Sequence, residues 1–161
     1  CVMIVAQKIV DIQGLQRLLH HWRVLGDKIV FTNGCFDVLH AGHVTLLGQC
    51  AEFGDRVVVG LNSDRSIKKI KGESRPIQQE QDRALLLASI QYVDAVILFD
   101  EATPLTLIET ILPDVLVKGG DYTLSTVVGA NEVLAHGGKV ELVELVQGKS
   151  TTDIASKISR L

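Results

Sequence analysis

A chain of 161 residues with 47% hydrophobic and 22% charged residues can bury a real core in one domain and is not disordered in composition. A formal charge of −3 without a basic or acidic tail excludes an ordinary nucleic-acid binder, and apolar runs no longer than Val2–Ala6 or Ala84–Ala88 exclude a membrane-spanning helix. The start, Cys-Val-Met-Ile-Val-Ala, lacks the basic flank and full apolar stretch of a signal peptide. Cys1, Cys35 and Cys50 show no metal-ligand spacing, so free thiols in a cytoplasmic protein are expected. An opening Cys in place of Met is expected of a chain cut from a longer one.

Asp11 is placed to cap a helix in which Ile12, Leu15, Leu18, Leu19 and Trp22 recur at helical spacing, stopped by Gly26-Asp27. Lys28–Thr32 reads as the first strand, and a helix from about Ala41 to Phe53 follows. Arg56–Asn62 is almost continuously apolar, as expected of a strand covered on both faces. Arg65 to Arg75 reads as a basic loop. Helix Gln79–Ile90 leads to strand Ala95–Phe99; then Thr103 as cap and Pro104 at the first helical position open a helix that ends before Pro113. Val115–Lys118, a helix near Val127–His136, strand Lys139–Leu145 and helix Thr152–Ser159 complete the chain. This alternation predicts an α/β fold: a doubly wound, Rossmann-like, five-stranded parallel sheet with helices on both faces. Residues 1–161 are expected to form a single domain, with 1–26 as an N-terminal helical extension. In such sheets ligands bind at the carboxyl ends of the strands.

Chemistry concentrates where the first strand hands over to its helix, in Thr32-Asn-Gly-Cys-Phe-Asp-Val-Leu-His-Ala-Gly-His43. Spacing i to i+3 at a helix start puts the imidazoles of His40 and His43 on one side of the first turn. The positive helix end and its free amides suit an anion there, and Gly42 lets a phosphate approach the backbone. Thr32, Asn33 and Gly34 supply further donors, and Asp37 is suited to hold a basic group or cap the turn. Taken alone, two His so spaced also suit a capped helix with one ring buried, or a zinc pair; no third Cys, Asp or Glu ligand is evident, and no metal ligand is assigned.

Three further segments stand out. Arg65, Lys68, Lys69, Lys71 and Arg75 face a single acid, Glu73, and read either as a solvated loop or as a mobile lid that neutralises a triphosphate. Lys118-Gly119-Gly-Asp121-Tyr122 permits close backbone approach with a Lys for a phosphate, or is a simple turn. Ser150, Thr151 and Thr152 precede the last helix and suit capping or phosphate contact.

His40-x-Gly-His43 after Thr-Asn-Gly-x-Phe-Asp resembles the signature of the cytidylyltransferase-like nucleotidyltransferases. The resemblance implies that His40 and His43 stabilise charge on an α-phosphate during in-line attack, without a covalent intermediate. It implies nucleotide binding by the Thr32–Asp37 turn, including Phe36, by Lys118, Gly119 and Asp121, and by Ser150, Thr151 and Thr152. Lys71, in Lys-Gly-Glu-Ser-Arg75-Pro, matches a phosphate-contacting Lys of the family and is expected to take part in catalysis. Arg75 is expected to support the site; Arg83 matches a family Arg that serves the site or a dimer interface.

Within the family, the resemblance from about Lys8 to Ile158 is closest to adenylyltransferase domains of bacterial ADP-heptose synthesis. It is carried by Phe31–His43, Asn62-Ser-Asp64, Lys71–Pro76, Ile111–Tyr122 and Ser150-Thr-Thr152. It implies ATP and a sugar 1-phosphate as partners, Mg²⁺ accompanying ATP, a homodimer, and a product that feeds lipopolysaccharide synthesis. Glycerol-phosphate cytidylyltransferases are similar around His40-x-Gly-His43, but carry Arg-Thr-Glu-Gly where this chain has Leu145-Val-Gln-Gly148. Another small phosphate acceptor is the alternative. A regulatory module without catalysis is disfavoured by the presence of both His. Many heptose enzymes carry a sugar kinase in the same chain; 161 residues cannot hold one as well, so a stand-alone transferase or an excised domain is expected.

Overall fold

The computed structural model of the protein describes residues 2–120, 122–144, 151–158 and 160. Five strands, β1 Ile29–Gly34, β2 Arg56–Asn62, β3 Ala95–Phe99, β4 Val115–Gly119 and β5 Lys139–Val143, form one sheet in the order β3-β2-β1-β4-β5. Every pairing is parallel. The helices are α1 Val2–Ala6, α2 Ile12–Leu25, α3 Ala41–Phe53, α4 Asp64–Lys71, α5 Glu80–Ala88, α6 Leu105–Ile111, α7 Ala130–Ala135 and α8 Thr151–Ile158.

Strand alternation divides the core into two layers. Ile29, Phe31, Val58 and Ile97 point to the side covered by Leu15, Leu19 and Trp22 of α2 and Leu107, Ile108 and Ile111 of α6. Val30, Val57, Val59 and Val96 pack on the other side against Leu46, Leu47 and Cys50 of α3 and Leu87 of α5. A sheet covered on both faces explains the unbroken apolar run of β2. Gly60 sits where β2 crosses close to β1: a Cβ there would lie 2.8 Å from the Phe31 ring and 3.2 Å from the Asn33 side chain. The helical stretch 12–25 is part of this core, since its Leu15 is fully buried.

The strands' amino ends carry a repeated device. Asp55, Asp94 and Asp114 each stand directly before a strand and accept from the amides of Lys28 (2.8 Å), Val57 (2.8 Å) and Ile29 (2.7 Å). Arg56 joins two carboxylates at this end, Asp27 at 2.7 Å and Asp94 at 3.4 Å.

The basic segment expected as a loop is instead helical through Lys71. Ser63 caps α4 by accepting from Ser66 N at 3.1 Å, and Ile67 is fully buried beneath it. An apolar anchor and a cap outweigh the charges, which spread over the exposed side. Two other expectations shift. Pro104 occupies the N-cap position of α6, one residue earlier than expected, and Thr103 lies outside the helix. The helix expected from Val127 begins only at Ala130, because Gly129 takes φ +84 against Ile108 after a 3-10 turn at Leu124–Thr126. The helix expected over Gln79–Ile90 is shorter, Glu80–Ala88, and strand five ends at Val143.

Candidate active site

A cleft of about 410 Å³ opens at the carboxyl ends of β1, β2 and β4. Its wall includes Asn33, Gly34, Phe36, Asp37, His43, Asn62, Lys71, Lys118, Gly119 and Thr151. A larger cleft, about 730 Å³, lies beside β3, but it is lined by Asp11, Glu80, Asp100 and Glu101 and by no cation. Four carboxylates repel a phosphate, so the smaller, cationic cleft is the candidate site.

His40 is the N-cap of α3 and His43 lies in its first turn. Their rings stack at 3.8 Å between centroids, and Phe36 lies at 5.1 Å from His43. The spacing therefore brings the imidazoles together, yet only His43 is among the cleft-lining residues. The His40 amide donates to Nδ1 of His43 at 3.4 Å. That leaves the proton of a neutral His43 on Nε2, a donor for an anion. Burial, then the charges of His40 and Lys71, push the His43 pKa down from 6.5 to about 4, against an opposing pull from Asp37. His43 is thus neutral near pH 7.

Below pH 6.5 the unfolded chain's imidazole takes up a proton that folded His43 refuses until about pH 4, so acid favours unfolding across that window. At ~1.4 kcal/mol per pKa unit, the loss approaches ~3 kcal/mol at its lower edge. The Asp37 carboxyl works in a separate window. Burial raises its pKa, but amide donors and Arg75 outweigh that and hold it below the ordinary 3.8, so its stabilisation is lost only in stronger acid. His43→Asn should flatten urea-measured stability between pH 6.5 and 4 relative to the parent; an unchanged slope would refute the depressed imidazole.

Lys118 is the second cation. It donates to Asn33 Oδ1 at 2.9 Å and lies 5.5 Å from the Tyr122 ring centre, and burial lowers its pKa. No carboxylate pairs with it among the described residues, so its charge is available to a bound anion. Lys71, at the end of α4, is exposed on the opposite flank of β1. The sheet order thus sets one lysine on each side of His43.

Other expected site residues take structural positions. Asp37 is 4% exposed and is held by Arg75 (3.1 Å) and by the amides of Ile77 (2.9 Å) and Gln78 (3.1 Å). Its carboxylate ties the turn to the segment after α4, and Arg75 is occupied with it. Arg83 is fully buried and donates to the carbonyls of Cys35, Asn62 and Gln78 and to Asp64. It joins the ends of β1 and β2 from inside and lies on no surface where a second subunit could touch it. Thr32 is 1% exposed, its hydroxyl has no hydrogen-bond partner among the described residues, and it does not line the cleft. Gly42 is buried and Thr152 is exposed outside the cleft, whereas Thr151 lines it and donates to the Asp37 carbonyl at 2.5 Å. Asp121 and Ser150 lie outside the described residues.

Sequence reading named Asn62 only within a matching segment and gave it no role, and it passed over Gln78, which holds the turn from outside the cleft. Asn62 ends β2 directly beside β1, where the carboxyl-end rule points. The turn before α3 is strained: Phe36 has φ +46 and Val38 φ +52. For a residue branched at Cβ this is an outlier, and such conformations cost about 1–3 kcal/mol each.

A helix start with a neutral imidazole donor, flanked by two lysines at the strand ends of a doubly wound sheet, is suited to the phosphates of a nucleotide. Residues 31–157 match the cytidylyltransferase-like family, and the chain belongs to it. The domain is accordingly a nucleotidyltransferase. It is 56% identical over 152 residues to the bifunctional protein HldE of Caulobacter vibrioides, and 54% identical over 154 residues to that of Methylobacillus flagellatus. These matches cover 94% and 96% of this chain, and the chain spans about a third (32%) of each relative's length. A lipopolysaccharide core biosynthesis protein from Thermoplasma volcanium superposes with a TM-score of 0.61 at 28% identity, covering 77% of this chain and all of the other. A pantoate-beta-alanine ligase from Francisella tularensis shares the fold at a TM-score of 0.62 and 17% identity, covering 95% of this chain and 78% of that one.

Proposed function

We propose that the domain transfers AMP from ATP to D-glycero-β-D-manno-heptose 1-phosphate, giving ADP-heptose and pyrophosphate. The observation that carries the reaction type is the cleft in which neutral His43 stands between Lys71 and Lys118. An acceptor phosphate oxygen attacks the α-phosphorus, and the bond to the β-phosphate oxygen breaks on the opposite side. His43 Nε2–H donates to a non-bridging α-oxygen as charge grows there, while the two lysines neutralise phosphate charge. Transfer of this kind needs positioning and electrostatic stabilisation rather than covalent chemistry by the protein.

ATP is expected to bring Mg²⁺. Among the described residues no three His, Cys, Asp or Glu side chains converge on a cation site, and the Asp37 carboxylate is already occupied. The ion would come with the triphosphate, and no step above is routed through it.

The choice of sugar is supported by the segments that resemble ADP-heptose adenylyltransferases, since Lys71, Lys118, Gly119 and Tyr122 from them line the cleft. The Thermoplasma neighbour, described as a lipopolysaccharide core biosynthesis protein, points the same way. A panel of nucleoside triphosphates crossed with sugar and polyol phosphates, read as pyrophosphate release, tests the assignment. Release is expected with ATP and heptose 1-phosphate together; faster turnover of CTP with glycerol 3-phosphate would overturn it.

A further inference from the structure

We propose that Gln78, which lies outside the cleft, is a positioning residue for nucleotidyl transfer: its side-chain oxygen holds the strained turn at Phe36–Val38 in the conformation that seats Phe36 against His43. The inference rests on the transfer reaction read from the cleft.

The contacts converge on one short turn. Gln78 Oε1 accepts from the Val38 amide at 3.2 Å. The Gln78 amide donates to Asp37 Oδ1 at 3.1 Å, and its carbonyl accepts from buried Arg83 at 3.0 Å. Backbone contacts thus fix Gln78 itself, and among the described residues its side chain makes one hydrogen bond, to the residue with φ +52. A Val in this region returns to an extended or right-handed conformation unless its surroundings over-determine it. Release of Val38 would free Phe36, which is 3% exposed, also left-handed, and 5.1 Å from the His43 ring. His43 would keep its helix and its His40 contacts but lose the Phe36 ring that packs against it from the other element. Misplacing a reacting group by about an ångström can cost on the order of a hundredfold in rate.

Gln78→Leu keeps the volume, both backbone bonds and the Asp37 contacts, and deletes only the bond to Val38. Because the Phe36 ring lies against His43, the carbon-bound imidazole protons of His43 report its position by NMR. In the Gln78→Leu chain those resonances should move and kcat should fall roughly tenfold to a hundredfold, with the KM for ATP within about twofold. Adding Val38→Gly, which removes the strain of the left-handed conformation at residue 38, should return both the resonances and most of kcat. A general packing role for Gln78 predicts no such rescue. Parental His43 resonances in Gln78→Leu, or shifted ones that Val38→Gly leaves unrestored, would overturn the proposal. Absence of AMP transfer in the parent would instead sink the reaction assignment, and the resonances would still decide the role of Gln78.

Discussion

Replacing His43 with alanine is expected to lower kcat by about 10²–10³-fold or more, equivalent to about 2.7–4 kcal/mol of transition-state stabilisation. The size follows from what the imidazole is. It is neutral near pH 7, its Nδ1 is occupied by the His40 amide, and its Nε2–H is left for the cleft. It lies at the start of α3, where the helix end already favours negative charge. A donor in this position matters most when charge peaks on the α-phosphate, so the KM for ATP should change far less than kcat. Single-turnover measurement of pyrophosphate release checks this. Unchanged turnover in His43→Ala would refute the catalytic role of His43.

Replacing Arg83 with methionine is expected to cost about 3–5 kcal/mol of stability, because removing one partner of a buried ion pair leaves the other groups unpaired. Arg83 is fully buried and satisfies three carbonyls and the Asp64 carboxylate, the last at 2.7 Å. Asp64 keeps about a third of its side chain in water (30% exposed), which places the loss near the lower end of that range. For a domain of this size, about 2–4 °C per kcal/mol converts it to a drop in Tm of at least ~6 °C. Lysine should not rescue it, since one ammonium cannot reproduce a planar fork that meets several acceptors at once. Urea and thermal unfolding measure the effect; a Tm within about 2 °C of the parent would refute it.

The contrast between Arg83 and His43 shows what was legible in the chain. His40-x-Gly-His43 after a strand, and the alternation of strands with helices, were visible because helix starts and parallel sheets each leave a local signature. The helical basic segment was not, because its cap at Ser63 and its single anchor, Ile67, are short signals beneath a strong charge run. Asp37 and Arg75 read as polar groups suited to a ligand, whereas their partners are each other and amides some 40 residues away in sequence. Such pairings depend on which loop crosses which, and local pattern carries no information about that. The left-handed turn at Phe36 and Val38 was illegible for a related reason: neither residue is Gly or Asn, and contacts from Arg75, Ile77, Gln78 and Thr151 hold it from outside.

The aspartates that start the strands bear on how a net-acidic protein holds a polyanion. Asp55, Asp94 and Asp114, with Asp27, gather at the sheet's amino edge, where amides and Arg56 neutralise much of their field. Lys71 and Lys118 stand at the carboxyl edge, and the one carboxylate lining the cleft there among the described residues, Asp37, is already enclosed by donors. The cleft at the ends of β1, β2 and β4 is thus set apart both from the acidic amino edge and from the carboxylates beside β3. A net charge of −3 averages these unlike surfaces, and the cleft stays locally positive despite it.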